Sequence, residues 1–317
     1  MRIGLIDVDS TRFPNLALMK LSAYHKAQGD EVEWYNAFSP TYDIVYKAKV
    51  FSFTPDFTEA INAHKVIIGG TGYEITLVDG REQFRSMGNL PDDVEHFYPD
   101  YSLYGITDTA YGFLSRGCPR GCSFCHVAPK EGKRCYKVAD LSEFWNGQKN
   151  VVLCDPNILA CPDHEALLTQ LADSKAWVDF NQGLDIRLMT KRKIELLNKI
   201  KIKEIHFAWD RYKDGRIILP KLKLYAENCK KKHSHNSIVY VLVNFDSTFE
   251  QDLERIYTLR ELGYWAYVMI YDKAHCHQRY KALQRWCNNR FIFGACPRFE
   301  DYNKPKEQIN ENELTLF

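Results

Sequence analysis

The stretch Tyr111-Gly-Phe-Leu-Ser115-Arg116-Gly-Cys118-Pro-Arg-Gly-Cys122-Ser-Phe-Cys125-His126 decides how this chain is read. Its first five residues have the apolar and aromatic character of a short buried strand, and they run straight into three closely spaced cysteines. The same pattern, an apolar run ending in a polar residue, recurs downstream. Asn150–Leu153 ends at Cys154-Asp155-Pro156-Asn157. Trp177–Phe180 is followed by the segment that carries Arg187, and Glu204–Trp209 ends at Asp210. Ile238–Val243 ends at Asn244, and Tyr264–Ile270 ends at Tyr271-Asp272.

Helical periodicity separates these runs. His164–Ala172 carries Leu167, Leu168 and Leu171; Lys191–Ile200 carries Ile194, Leu196 and Leu197; Phe249–Leu262 carries Leu253, Ile256 and Leu259. Apolar residues recurring every three or four positions give one buried helix face. Alternating strands and helices predict a parallel sheet, and about six βα units predict a partial (β/α)6 barrel. In parallel architectures the strand C-termini share one face and ligands bind there. Cys118, Asp155, Arg187, Asp210, Asn244 and Asp272 would line that face. Helix capping is the plainer explanation for any one of them.

Upstream, Arg2–Asp7 reads as a buried strand and Pro14–Gln28 as an amphipathic helix stopped by Gly29. Glu31–Tyr35, Lys47–Phe53 and Lys65–Ile68 are further strand candidates, the last ended by Gly69-Gly70-Thr71-Gly72. This predicts an N-terminal Rossmann-like parallel sheet. The expected division is residues 1–104 for that domain, 105–300 for the barrel, and 301–317 for a polar tail. Residues 73–105 read as a linker with turn chemistry around Pro91 and Pro99.

The cysteines carry the chemistry. Spaced Cys-x3-Cys-x2-Cys, three thiolates on one loop can hold three irons of a [4Fe–4S] cubane. No fourth ligand follows at that spacing, so one iron stays open to a small molecule, as a catalytic zinc keeps one position open. Gly117 and Gly121 allow the backbone to wrap closely round a bulky group. A closed zinc site would need His126 or Cys135 as well, and adjacent Cys125 and His126 do not easily reach one tetrahedral ion. A simple electron-transfer cluster would need Cys135 or Cys154.

The segment resembles the signature of the radical S-adenosylmethionine (SAM) superfamily, over about residues 108–275. The resemblance implies that Cys118, Cys122 and Cys125 bind the cluster, with Phe124 as the aromatic residue before the third cysteine. It implies that SAM chelates the open iron and is cleaved reductively to methionine and a 5′-deoxyadenosyl radical, which acts on a substrate the sequence does not reveal. By position, Asp155 and Asn157 would meet the methionine amine, although Asp155-Pro156-Asn157 departs from the usual Gly-Gly-Glu. Arg187 would pair with the SAM carboxylate, Asp210 with the ribose hydroxyls, and Asn244 would lie near the adenine. An electron donor such as flavodoxin or ferredoxin is the implied partner. The N-terminal domain is similar, more weakly, to the cobalamin-binding type that precedes one branch of the superfamily. The Asp-x-His-x-x-Gly cobalt motif is absent, Asp7-Val-Asp-Ser-Thr-Arg12 standing in its place, so cobalamin stays open without being favoured.

Composition bounds the rest. Of 317 residues, 42 are basic and 41 acidic, so no global charge draws the chain to nucleic acid or an anionic membrane. The Lys230-Lys-Lys-His233 tract leaves a nucleic-acid contact open, with a solvated helix end as the plainer reading. The apolar runs are far short of the ~20 residues of a membrane span. The N-terminus lacks signal-peptide character, which makes a cytoplasmic setting and reduced thiols the expectation. Cys276, Cys287 and Cys296 are loosely spaced candidates for a second cluster. The rival reading of the whole is a non-catalytic zinc or iron–sulfur module, perched on nucleic acid.

Overall fold

A six-residue apolar run starts the chain, and in the computed structural model it is strand β1 (Arg2–Asp7). Residues 1–11, 13–78, 81–86, 90–230 and 236–302 are described. Arg12, Lys231–His233 of the basic tract, and the 303–317 part of the expected tail lie outside them. The architecture is mixed α/β with a four-stranded and a six-stranded parallel sheet. The chain packs as two compact units, one of Met1–Leu184 with Arg192–Glu204, the other of Asp185–Lys191 with the described residues from Ile205 onward.

In the first unit, helix α1 (Leu16–Ala27) follows β1 and is capped by Asn15, whose side chain accepts the Leu18 N–H at 3.2 Å. Gly29 ends it with φ of 81°. Strands β2 (Glu31–Trp34), β3 (Tyr42–Ala48) and β4 (Ala63–Gly69) complete a sheet in the order β2-β1-β3-β4. Ile3, Leu5, Leu18, Leu21, Ala48 and Val94 form its core. The third strand starts earlier than its apolar residues suggest. Phe51 and Phe53, which look like strand residues, instead stack on each other with ring centroids 5.3 Å apart. Residues 73–105 hold more structure than a linker. Short helix α2 (Thr71–Glu74) leads to an antiparallel pair, β5 (Ile75–Val78) with β6 (Arg81–Phe84), and then to α3 (Asp92–Glu95).

Strand β7 (Thr109–Gly112) stops three residues before the strand the sequence suggests. At Gly112 the Phe144 ring lies 2.4 Å from where a Cβ would stand. The chain then leaves the sheet, and β8 (Ser115–Arg116) makes a separate antiparallel ribbon after passing through α4 (Val127–Glu131) to β9 (Tyr136–Lys137). Strands β10 (Asn150–Leu153) and β11 (Trp177–Phe180) flank α5 (His164–Ser174), whose Leu167, Leu168 and Leu171 are fully buried. Each such leucine contributes about 1.5–3 kcal/mol. Helix α6 (Lys191–Leu197) precedes β12 (Lys201–Ala208).

The second unit carries α7 (Gly215–Asn228), β13 (Ser237–Val243), α8 (Phe249–Glu261) and β14 (Trp265–Ile270). Helices α9 (Gln278–Asn288), α10 (Arg290–Ala295) and α11 (Phe299–Tyr302) follow. The larger sheet has the order β14-β13-β12-β11-β10-β7. A capping box starts α8: Gln251 N–H donates to Thr248 Oγ1 at 3.3 Å, and Thr248 N–H to Gln251 Oε1 at 3.0 Å. Among the described residues no helix is long and apolar enough to cross a membrane.

Candidate functional site: the three-cysteine loop

The loop from Arg116 to Cys135 is pinned at both ends. On its way in, Gly117 donates its N–H to Glu131 Oε2 at 2.9 Å, while Glu131 Oε1 holds the Arg116 guanidinium at 2.9 Å. Cys118 N–H reaches the Gly132 carbonyl at 3.2 Å, and Cys125 N–H the Cys122 carbonyl at 3.0 Å. Gly117 has φ of 80°, and a Cβ there would lie 2.1 Å from the Arg134 carbonyl oxygen. Only glycine meets both conditions. Cys118, Cys122, Phe124 and Cys125 are all partly exposed.

The turn after β10 grips this loop. Asp155 is buried, 4% exposed. Its Oδ1 accepts the Leu114 N–H at 2.9 Å, and its Oδ2 accepts the Ser115 N–H at 2.5 Å and the Ser115 hydroxyl at 2.6 Å. Burial pushes its carboxyl up to about 6, while the Ser115 and Leu114 hydrogen bonds pull it back. Asp155 therefore holds protein donors through both oxygens. It explains why Leu114 and Ser115 leave the sheet.

Asn157 is 2% exposed. Its Nδ2 donates to Cys118 Sγ at 3.5 Å, and its backbone carbonyl accepts from Cys135 Sγ at 3.3 Å. Its Oδ1 is buried without a hydrogen-bond partner. A buried amide oxygen in that condition costs roughly 1–3 kcal/mol unless a ligand donor meets it. Asn157 thus joins the first cysteine to an acceptor suited to an ammonium or N–H group.

Cys135 and Cys154 were candidates for a fourth ligand. Both are buried, and burial pushes each thiol up to about 12. They are protonated core thiols, with Cys135 engaged on Asn157. Among the described residues the loop offers Cys118, Cys122 and Cys125 as three partly exposed sulfurs, a donor set that could hold a metal or an iron–sulfur cluster.

In the second unit, Arg187 sits in a 3-10 turn at Ile186–Leu188. Its Nε donates to Asp185 Oδ1 at 2.7 Å and its Nη1 to Asp214 Oδ2 at 3.4 Å. It meets two carboxylates of the protein before any ligand carboxylate arrives. Asp210 follows β12, and burial pushes its carboxyl up to about 6 against the pull of Arg255 and Arg187. Asn244 follows β13 in the left-handed region, φ 62°, and its Nδ2 donates to the Tyr271 carbonyl at 2.9 Å.

Sequence reading missed the group that sets the last two. Arg255 on α8 is fully buried. Its Nη1 donates to the carbonyls of Trp209 and Asp210, the latter at 2.9 Å. Its Nη2 donates to the Leu242 carbonyl at 2.7 Å and pairs with Asp252 at 2.5 Å. Asp252 Oδ2 in turn accepts the Asn244 N–H at 3.4 Å. One buried ion pair fastens the ends of β12 and β13. A helical Arg three residues after an Asp looks like a solvated pair, so nothing local marks it. Glu131 escaped notice for the same reason.

Contacts within the protein engage two further groups of residues. Cys276, Cys287 and Cys296 are not gathered for a second cluster: their thiols donate to the separate carbonyls of Lys273, Ala266 and Arg298. Cys287 is a core residue on α9 beside fully buried Trp286. At the end of β1, Asp7 accepts the Tyr104 hydroxyl at 2.8 Å, and Asp9 accepts the Val50 N–H at 2.5 Å and the Thr54 hydroxyl at 2.7 Å. A Cβ on Gly70 would lie 2.4 Å from the Lys49 carbonyl oxygen, and one on Gly72 would lie 2.6 Å from Lys49 Cγ. Close packing on Lys49 accounts for these glycines.

Neither the protein-family models nor the curated proteins compared with this chain match it.

Proposed function

We propose that this chain is a radical SAM enzyme that binds a [4Fe–4S] cluster through Cys118, Cys122 and Cys125. The observation that carries the reading is the pairing of the three-cysteine loop with Asn157, a buried amide that touches Cys118 on one side and keeps an unmet acceptor on the other. The six-stranded parallel sheet supports reading residues 108–275 as a partial (β/α)6 barrel of that superfamily. When bound, the cluster would supply the electron that cleaves SAM and yields a 5′-deoxyadenosyl radical.

The chain's own residues do the holding and shaping. Asp155 and Glu131 hold the chain on either side of the first cysteine in place. Asn157 Oδ1 is the acceptor suited to the SAM amine. Asp210 is the candidate for the ribose hydroxyls, since an acidic side chain accepts from both. Arg187 suits the carboxylate by bidentate geometry, in exchange for its bond to Asp214. Asn244 remains the candidate beside the adenine. An external reductant of low potential, such as flavodoxin or ferredoxin, completes the requirement.

Anaerobic reconstitution with iron and sulfide, reduction, and addition of SAM tests this. The expected result is about four irons per chain and release of 5′-deoxyadenosine, both lost when Cys118, Cys122 and Cys125 are replaced by Ala. Stoichiometric zinc with no iron would sink the proposal and favour a structural metal module.

A further inference from the structure

We infer that Asn157 sets the reduction potential of the cluster, by donating a hydrogen bond to the sulfur of its first ligand, Cys118. The inference rests on the cluster reading above and goes beyond it, because it assigns a residue outside the cysteine motif to control of the electron's energy.

Nδ2 of Asn157 lies 3.5 Å from Cys118 Sγ, within the reach of an N–H···S bond. Either end of an amide could face a thiol, since a thiol both donates and accepts. A sulfur bound to iron carries no proton, so only the Nδ2 end can face it. The backbone fixes where that side chain starts: the Asn157 carbonyl accepts the Ala160 N–H at 3.0 Å as well as the Cys135 thiol. At 2% exposure, water cannot stand in for the amide.

Reduction adds one negative charge to the cluster, spread partly over its ligand sulfurs. A donor aimed at one sulfur stabilises the reduced form more than the oxidised form and raises the potential. Burial strengthens this, because the surrounding dielectric is low. Asn157 is also a better lever than Asp155 or Glu131. Those carboxylates hold donors on residues 114–117 rather than the sulfur itself, whereas Asn157 touches it.

The test uses the reconstituted full chain and a potentiometric titration followed by electron paramagnetic resonance. Asn157→Leu keeps the volume and removes the donor; Asn157→Asp keeps the shape, removes the donor and adds a negative charge. The expected order of potential is wild type highest, Asn157→Leu lower, Asn157→Asp lowest. Removal of the donor should make reduction about tenfold less favourable, which is about 59 mV for a one-electron couple. A role limited to shaping the loop would not rank the variants by charge. Clusters that assemble in both variants with the wild-type potential would overturn the inference. Should the variants fail to hold a cluster, wild-type protein labelled with 15N-asparagine decides: a side-chain nitrogen coupled to the reduced cluster is expected, and its absence refutes the assignment. Failure of the wild-type chain to build any cluster would instead refute the proposed function.

Discussion

Replacing Asp155 by Asn should loosen the entry to the cysteine loop by an amount that can be worked from its three hydrogen bonds. The substitution keeps the shape. If the amide oxygen takes the place of Oδ2, it still meets the Ser115 N–H and hydroxyl, but the new NH2 then faces the Leu114 N–H. One buried donor is left without an acceptor, at about 1–3 kcal/mol. The two surviving bonds also lose their charge assistance, about 1 kcal/mol each. The sum is about 3–5 kcal/mol, felt locally. At about 1.4 kcal/mol per decade this is about two to four decades of protection. Hydrogen exchange of the Leu114 and Ser115 amides, measured on apo protein by mass spectrometry, reads it directly. Peptides of β1 and α1 should be unaffected. Unchanged protection at Leu114 and Ser115 would refute the claim that this carboxylate holds the loop, whatever happens to activity.

Other consequences can be checked with the same protein. Gly117→Ala meets a left-handed backbone and the Arg134 carbonyl together, so iron uptake should fall sharply while far-UV circular dichroism stays the same. Arg255→Ala leaves the Asp252 charge buried and unpaired, which should destabilise the second unit by about 3–5 kcal/mol in denaturant unfolding. The Asp252→Leu, Arg255→Met double variant should recover much of that loss. Stability should fall as pH rises from about 4 to 7. Asp155 and Asp210 are raised to about 6, and Asp179 to about 7 by burial and the nearby Glu204, so the folded chain binds more protons than the unfolded chain across that window. The lowered carboxyls of Asp30, Glu33, Asp56, Asp100 and Asp140 act oppositely, adding stability that is lost as pH drops below about 4. Asp179→Asn should flatten the upper end of the decline, measured as Tm against pH; an unchanged slope would count against the raised carboxyl.

The periodic elements were legible because their burial is periodic. Helix α5 and strands β10, β11, β13 and β14 lie within a residue or two of where their apolar spacing puts them. Elements with mixed chemistry were not. Strand β3 carries Asp43 and Lys47, whose charges are met by the Arg2 N–H and by Asp56. That makes Tyr42–Ala48 look less strand-like than the aromatic residues after it. Helix α7 holds Pro220, normally a reason to deny a helix, yet Ile218, Leu222 and Tyr225 still bury one face. The site divides in the same way. Cysteine spacing is a local property and could be read directly. The grip of Asp155 on Leu114, forty-one residues away in sequence, exists only once β7 and β10 lie side by side.

That grip has a consequence for how the loop would take up the proposed cluster. The bonds from Asp155, Asn157 and Glu131 to the cysteine loop run between protein groups alone, and none needs iron to form. The loop is a holster with its shape already set. Were the proposed cluster to bind and then be lost, these bonds between protein groups would remain to hold the legs of the loop.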